Sequence, residues 1–144
     1  MKKSVLSLIA VSSLLASSLV ALAHPISGRI KADIPFDFVV GKAKLSAGQY
    51  EIQRGTSNSS LKLTCNKSSV MVLSYNGSTS GTPQHAKLVF HKYGDQYFLA
   101  QVWDEGSTTA DDLMATKAER EAARTASRLA KNDVGPEIVV VAAQ

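Results

Sequence analysis

Apolar and polar residues alternate along much of this chain with the period of two that is typical of half-buried β-strands. The longest such run extends from Ile30 to Val40, where every second residue is apolar or small, and Gly41 ends it. Pro35 lies within the run and cannot donate a hydrogen bond to a neighbouring strand, so it predicts a break or an edge position. Shorter strand-like segments follow at 49–53, 61–65 and 70–74.

A pair of strongly apolar segments, Ala86–Lys92 and Tyr97–Trp103, predicts a β-hairpin. Gly94-Asp95 lies between them, and a glycine in the first position is typical of a two-residue hairpin turn. Because both faces of the pair are apolar, we expect this hairpin to be central to the core and Trp103 to be buried. If Tyr93 and Gln96 close the turn, the register places Phe90 opposite Leu99, His91 opposite Phe98 and Leu88 opposite Gln101.

The pattern changes to helical spacing near residue 110 and predicts one helix over about 110–131. Thr109 is a suitable N-cap, and Asp112 three positions later gives a variant of the capping box. A narrow stripe of small and apolar residues then follows, formed by Ala115, Ala118, Ala122, Ala126 and Leu129. After Asn132–Pro136, a last strand is predicted at about 137–141.

These elements predict a single domain over residues 24–144, mainly β with one C-terminal helix. About seven short strands separated by turn signals favour an antiparallel sandwich or a partly open barrel. The chain shows no alternation of strands and helices and no internal repeat.

Residues 1–23 have the pattern of a secretory signal peptide. Lys2 and Lys3 precede an uncharged apolar stretch, and Ala21-Leu22-Ala23 provides the small residues that a signal peptidase reads. The alternative is a permanent membrane anchor, but the stretch contains five serines and no basic residues follow it at once. We therefore expect a periplasmic or secreted protein that begins at His24 and is not inserted into the membrane.

The net charge of the chain bears on whether it binds nucleic acid. The full chain has a net charge of +4, which falls to +2 without Lys2 and Lys3. So small a charge gives no electrostatic reason to expect nucleic-acid binding.

Cys65 is the single cysteine and cannot form an intramolecular disulfide. It would share a strand face with Leu61 and Leu63, so we expect a small, buried, apolar residue rather than a reactive thiol.

Five segments of the chain carry a resemblance to known proteins: Ile34–Phe38, Leu45–Tyr50, Leu88–Leu99, Val102-Trp103 and Lys117–Glu121. They resemble a family of small secreted bacterial proteins of unknown function. The resemblance covers most of the chain after residue 24, although Ser46 stands where the family usually has proline. It implies an envelope or secreted location and the β-rich architecture, and it implies no activity.

No arrangement of residues in the sequence predicts a catalytic site. Serines are abundant, but there is no nucleophile elbow, phosphate-binding loop or dinucleotide-binding motif. His85 and His91 would lie about 20 Å apart on one unbroken strand, too far to serve one site. The carboxylates Asp104, Glu105, Asp111 and Asp112 flank a turn and the predicted helix start, where solvation and helix capping account for them.

His24 is the exception, because cleavage after Ala23 would make it the N-terminal residue. Its amine and a ring nitrogen would then chelate one metal ion, an arrangement that suits Cu(II). Such a site needs a further histidine, His91 or His85. The alternative is an N-terminus that binds nothing.

Together these features predict an exported, non-enzymatic β-domain that binds a partner protein, a glycan or a small ligand. The exposed candidates are Tyr75–Gln84, a stretch rich in turn residues, and aromatic residues at a sheet edge. The alternative is a periplasmic or secreted copper-binding protein that uses His24. A hydrolase is the third class.

Overall fold

The computed structural model describes residues 28–55, 59–77, 79, 81–130 and 135–144. The predicted signal peptide, its cleavage point and His24 lie outside these residues, as does the predicted helix end at 131.

The described residues form ten strands and one helix, so the chain is mainly β with a single helix near its C-terminus, as predicted. More strands are present than the seven or so expected, because the run at 30–40 is split after Ile34 and because two short strands, at 43–45 and 111–113, form where no strand was predicted. The strands are β1 (Arg29–Ile34), β2 (Phe38–Val40), β3 (Ala43–Leu45), β4 (Gly48–Arg54), β5 (Ser60–Cys65), β6 (Ser68–Asn76), β7 (Lys87–Tyr93), β8 (Gln96–Trp103), β9 (Asp111–Leu113) and β10 (Glu137–Ala142). The helix α1 spans Lys117–Ala130.

The strands form one open sheet. Its order is β1-β4-β5-β6-β9-β8-β2-β3, with β7 on the other side of β8 and β10 beyond β7. All the pairings are antiparallel except the short contact of β2 with β8. The sheet curls until β1 meets the chain just after β10, but only a single bridge, between Ala32 and Ala143, joins the two ends. The sheet therefore stays unclosed.

The inner faces of the strands form the main core, because alternate residues point to the same side of a sheet. β1 shows this directly, with Ile30, Ala32 and Ile34 buried and the residues between them exposed. Three aromatic rings pack edge to face at the centre, since Phe38 lies 5.2 Å from Tyr50 and 5.5 Å from Phe90.

The β7–β8 hairpin has the predicted turn and most of the predicted register. Gly94 has a φ of +59°, which suits a residue without a Cβ. Phe90 pairs with Leu99 and His91 with Phe98, as expected. Leu88 pairs with Val102 instead of Gln101, because the register shifts between Val89 and Phe90. This bulge adds one residue to β8, and the prediction assumed a regular ladder.

The predicted helix start was wrong by seven residues, which is about two turns. Residues 111–113 form β9, and the helix begins only at Lys117. The N-cap is Thr116, whose Oγ accepts a hydrogen bond from the Glu119 amide at 3.0 Å. Thr116 therefore has the N-cap role that was predicted for Thr109.

The predicted alanine stripe was also misplaced. Ala115, Ala118 and Leu129 are exposed, and the half-buried face of α1 carries Ala122 and Ala126 beside Ala123 and Ser127. The buried residue of the helix is Glu119, whose Oε1 lies 2.7 Å from Nδ1 of His91 on β7. This polar contact determines which face of the helix is turned toward β7. The spacing of hydrophobic residues cannot predict such a contact.

The outer face of the β7–β8 hairpin is covered as well as the inner one. Val89, Trp103 and Ala110 form a second buried cluster, and Trp103 is buried as predicted. Phe98 is also buried, next to the strand that α1 contacts.

Candidate functional site: an apolar patch on β6

Strand β6 carries apolar residues on both faces, and its outer face is exposed. Val70 and Val72 point inward and pack against the main core. Met71, Leu73 and Tyr75 point outward and are 65%, 74% and 50% exposed. Because side chains on one face of a strand repeat every second residue, the three lie in a row about 7 Å apart.

A fourth apolar side chain extends this row sideways. Leu113 on β9 pairs with Ser74, so the next residue, Met114, continues the register beside Leu73. Met114 is 74% exposed. We call the surface formed by Met71, Leu73, Tyr75 and Met114 the β6 patch.

Polar residues border the β6 patch. Lys62 on β5 lies opposite Met71, and Asp112 on β9 lies opposite Tyr75. A contiguous apolar surface with a polar rim is typical of a protein-contact site, whereas singly scattered apolar residues are not. Methionine and tyrosine are also enriched at such interfaces.

The histidines of the predicted metal site lie in different surroundings. His85 is exposed, two residues before β7, and lines a groove with Lys31 and Gln144. His91 is held in β7 with its Nδ1 at Glu119. His24 lies outside the described residues. Among the residues that the structure describes, no group of three or more histidine, cysteine or acidic side chains is placed to hold a metal ion.

Asp111, one of the carboxylates near the predicted helix start, has a structural role that differs from capping. Asp111 is 2% exposed, and its Oδ2 accepts a hydrogen bond from Nε of Arg54 at 2.8 Å. Its strand pairs with both β6 and β8, which places the carboxylate inside the sheet instead of at a helix end. Asp104 and Glu105 lie in the turn that follows β8.

The groove beside His85 has a volume of about 750 Å³ and lies along β1, β4 and the C-terminal residues. Most of its described lining residues are of polar types, with Lys31, Glu51 and Thr64 among them, and Tyr50 is the one phenylalanine, tyrosine or tryptophan that it includes. Small-ligand cavities are usually concave and mostly apolar with a few polar groups. The groove therefore lacks the aromatic lining expected of a site that binds a small apolar ligand.

Burial perturbs the pKa of two tyrosines near these regions. Burial raises the pKa of Tyr50, with a smaller contribution from the neighbouring Cys65 thiol. Burial also raises the pKa of Tyr93, and the negative charge of Glu119 adds to the effect. Cys65 itself is half-buried against the main core, consistent with the apolar role predicted for it.

Only one part of the β6 patch, Tyr75, was predicted from the sequence. Tyr75 was identified as the start of an exposed stretch, and the described residues of 77–84 are indeed exposed or half-buried. Met71 and Leu73 were not predicted as surface residues, because the pattern along 70–74 does not show which face of the strand is covered. The signal available was the apolar character of both faces in Val70–Leu73.

Within the described part of the chain, α1 is too short and too polar to cross a membrane. Comparison with protein-family models, curated proteins and solved structures found no match for this chain.

Proposed function

We propose that this protein is an exported, non-enzymatic binding protein of the periplasm or cell exterior, and that the β6 patch docks a partner protein. The observation that carries the proposal is the exposure of Met71, Leu73, Tyr75 and Met114 in one place. Burying such side chains contributes about 25 cal/mol for each Å² removed from water. The free energy of the system therefore falls when a partner covers a solvated patch of this kind.

The composition of the β6 patch favours a protein over a glycan. Three of its four side chains are aliphatic or thioether groups, and Tyr75 supplies its single aromatic face. Methionine is flexible and polarisable, so it adapts to an apolar partner surface. A sugar, by contrast, needs a set of convergent hydrogen-bonding groups. The polar neighbours Lys62 and Asp112 lie at the rim and suit the edge of a protein interface.

A photo-crosslinking amino acid at position 73, expressed in the native host, tests this proposal. We expect one dominant protein adduct, identified by mass spectrometry. The same amino acid at Arg124, an exposed position on α1, is the matched control and should not form it. In a second step, Met71→Asp should remove the adduct at position 73 while the protein stays folded. The same adduct from both positions, or none from position 73, would refute the proposal.

A second candidate function is copper binding by His24 with His85, and the position of His85 favours it. His85 is exposed and lines the groove along β1, the strand that follows the N-terminal segment. His91 is less suitable, because its Nδ1 is engaged with Glu119. Cu(II) titration should show tighter binding by a protein that starts at His24 than by one with an extra residue before it. His85→Ala should weaken that binding and His91→Ala should not. Equal affinities of the two starts would exclude the site.

A further inference from the structure

The open sheet leaves one long side of β10 without a described partner strand. β10 pairs with β7 along its whole length, and on its other side the chain meets β1 only at Ala143 and Gln144. Residues 137–141 therefore form an open edge among the described elements.

The hydrogen bonds at the end of β10 show which backbone groups face this edge. The Ala143 amide donates to the Ala86 carbonyl on the β7 side, and the Gln144 amide donates to the Lys31 carbonyl on the β1 side. Because these directions alternate along a strand, the N–H and C=O groups of Ile138 and Val140 point to the open edge.

The side chains of the same two residues are also solvent-exposed. Ile138 and Val140 lie on the outer face of β10, and each is 55% exposed. Val139 and Val141 point inward and pack against the main core. The charged residue of the strand is Glu137 at its start, where it accepts a hydrogen bond from Lys92 at 2.9 Å.

Two other outer strands of the sheet, β1 and β3, are protected from further pairing. β3 has only three residues and presents the exposed Lys44, and β1 alternates Arg29, Lys31 and Asp33 on its outer face. Short length and charged side chains are the usual means by which proteins prevent edge-to-edge association. Beyond Glu137, the open edge of β10 has neither, since residues 138–141 are Ile-Val-Val-Val.

From this geometry we infer that the open edge of β10 is a dimerisation surface for a second copy of this chain. In this dimer two antiparallel β10 strands are related by a two-fold axis at Val139. Ile138 of each copy then lies opposite Val140 of the other copy. The exposed backbone groups of both residues then bond in pairs, and the outward side chains form one apolar ladder. Each Glu137 lies opposite Val141, so no like charges oppose each other.

This register also spares the contacts that each copy already makes. It uses residues 137–141 and leaves the Ala32–Ala143 bridge intact. A two-fold interface needs a self-complementary surface, and this segment is self-complementary in hydrogen bonding, in side-chain character and in charge. The β6 patch lies on a different strand, so the dimer does not depend on the proposed function.

Sedimentation velocity of the purified protein tests the inference. We expect a concentration-dependent dimer. Val140→Pro should remove it, because that amide faces the open edge and bonds nothing on β7, so the fold is retained. Leu73→Lys in the β6 patch is the matched control and should leave the dimer unchanged. A monomer at every concentration, or a dimer that survives Val140→Pro, would overturn the inference.

The register has its own test. In a Cys65→Ser background, Val139→Cys should form an intermolecular disulfide on oxidation. The reason is that residue 139 of one copy lies opposite residue 139 of the other copy, at a Cα–Cα separation that a disulfide spans. Ile138→Cys should not, since it lies opposite Val140. Circular dichroism of each variant confirms folding. Equal crosslinking of both variants would contradict the proposed register.

Discussion

The β7–β8 hairpin and strand β6 have similar sequence patterns and opposite environments. Both carry apolar residues on their two faces. On the hairpin, the outward Phe98 and Trp103 are 1% and 2% exposed, whereas the outward Leu73 on β6 is 74% exposed. The difference comes from what lies over each strand. Helix α1 and the segment with Ala110 are placed against the hairpin, and no described element covers the β6 patch.

This contrast separates two roles for the same type of residue. A covered outward residue stabilises the domain, because folding removes its surface from water. An uncovered one contributes little to folding and is left to contact another molecule.

Leu99→Ala should destabilise the protein by about 2–5 kcal/mol, because it removes a core side chain and leaves a cavity. Leu99 is 4% exposed and lies opposite Phe90 in the central hairpin. Leu73→Ala makes the same chemical change on β6 and should cost less than about 0.5 kcal/mol. Denaturant unfolding measures both. Similar losses would mean that the β6 patch is buried in solution and would contradict the comparison.

Glu119→Ala tests whether the His91–Glu119 contact holds helix α1 against the hairpin. The variant removes the carboxylate that meets His91 and should lower the free energy of unfolding by about 1–3 kcal/mol. Loosening of α1 should also speed amide hydrogen exchange around Phe98. Glu121→Ala on the same helix is the control, since its pair with Lys117 is exposed and should contribute about 0–1 kcal/mol. Equal effects of the two variants would show that the His91–Glu119 contact does not anchor the helix.

Tyr50→Phe compares a buried hydroxyl with an exposed one. Tyr50 donates a hydrogen bond to the Ser46 carbonyl at 2.7 Å, so its loss should cost about 0.5–1.5 kcal/mol at neutral pH. Tyr75→Phe in the β6 patch should change the stability by less than about 0.5 kcal/mol. Unfolding at neutral pH measures both.

The same pair of variants predicts a dependence on pH. The pKa of Tyr50 is raised in the folded protein, so the folded state holds its proton more tightly than the unfolded state. Its contribution is complete below the unfolded pKa of about 10 and is lost as the pH rises through the folded value. The difference in stability between wild type and Tyr50→Phe should therefore shrink in alkaline solution. A constant difference across that range would contradict the assignment.

Local pattern predicted much of the fold because its causes are local. Alternation identified most of the strands, and Gly94 identified the central turn, since a two-residue turn depends on the conformation of the turn residues themselves. Pro35 correctly marked the break between β1 and β2. The candidate site was predicted only at Tyr75, because exposure depends on which elements cover a face.

The errors share a different cause. The stretch 111–113 reads as a helix start by composition, yet it pairs with β6 and β8, and Asp111 bonds Arg54 from 57 residues away. The bulge that moved Leu88 opposite Val102 likewise depends on how two strands fit together. Neither the strand pairing of 111–113 nor the bulge can be recognised from the few residues on either side of it.

By itself, the sequence determined that this is a β-rich domain with one late helix and a central hairpin, because periodicity and turn chemistry act between near neighbours. Only the tertiary structure decided which apolar faces are covered. Helix α1 turns Glu119 toward His91 and lies against the hairpin, while the outer faces of β6 and β10 stay exposed. Burial is a property of two surfaces in contact, and the second surface comes from a distant part of the chain.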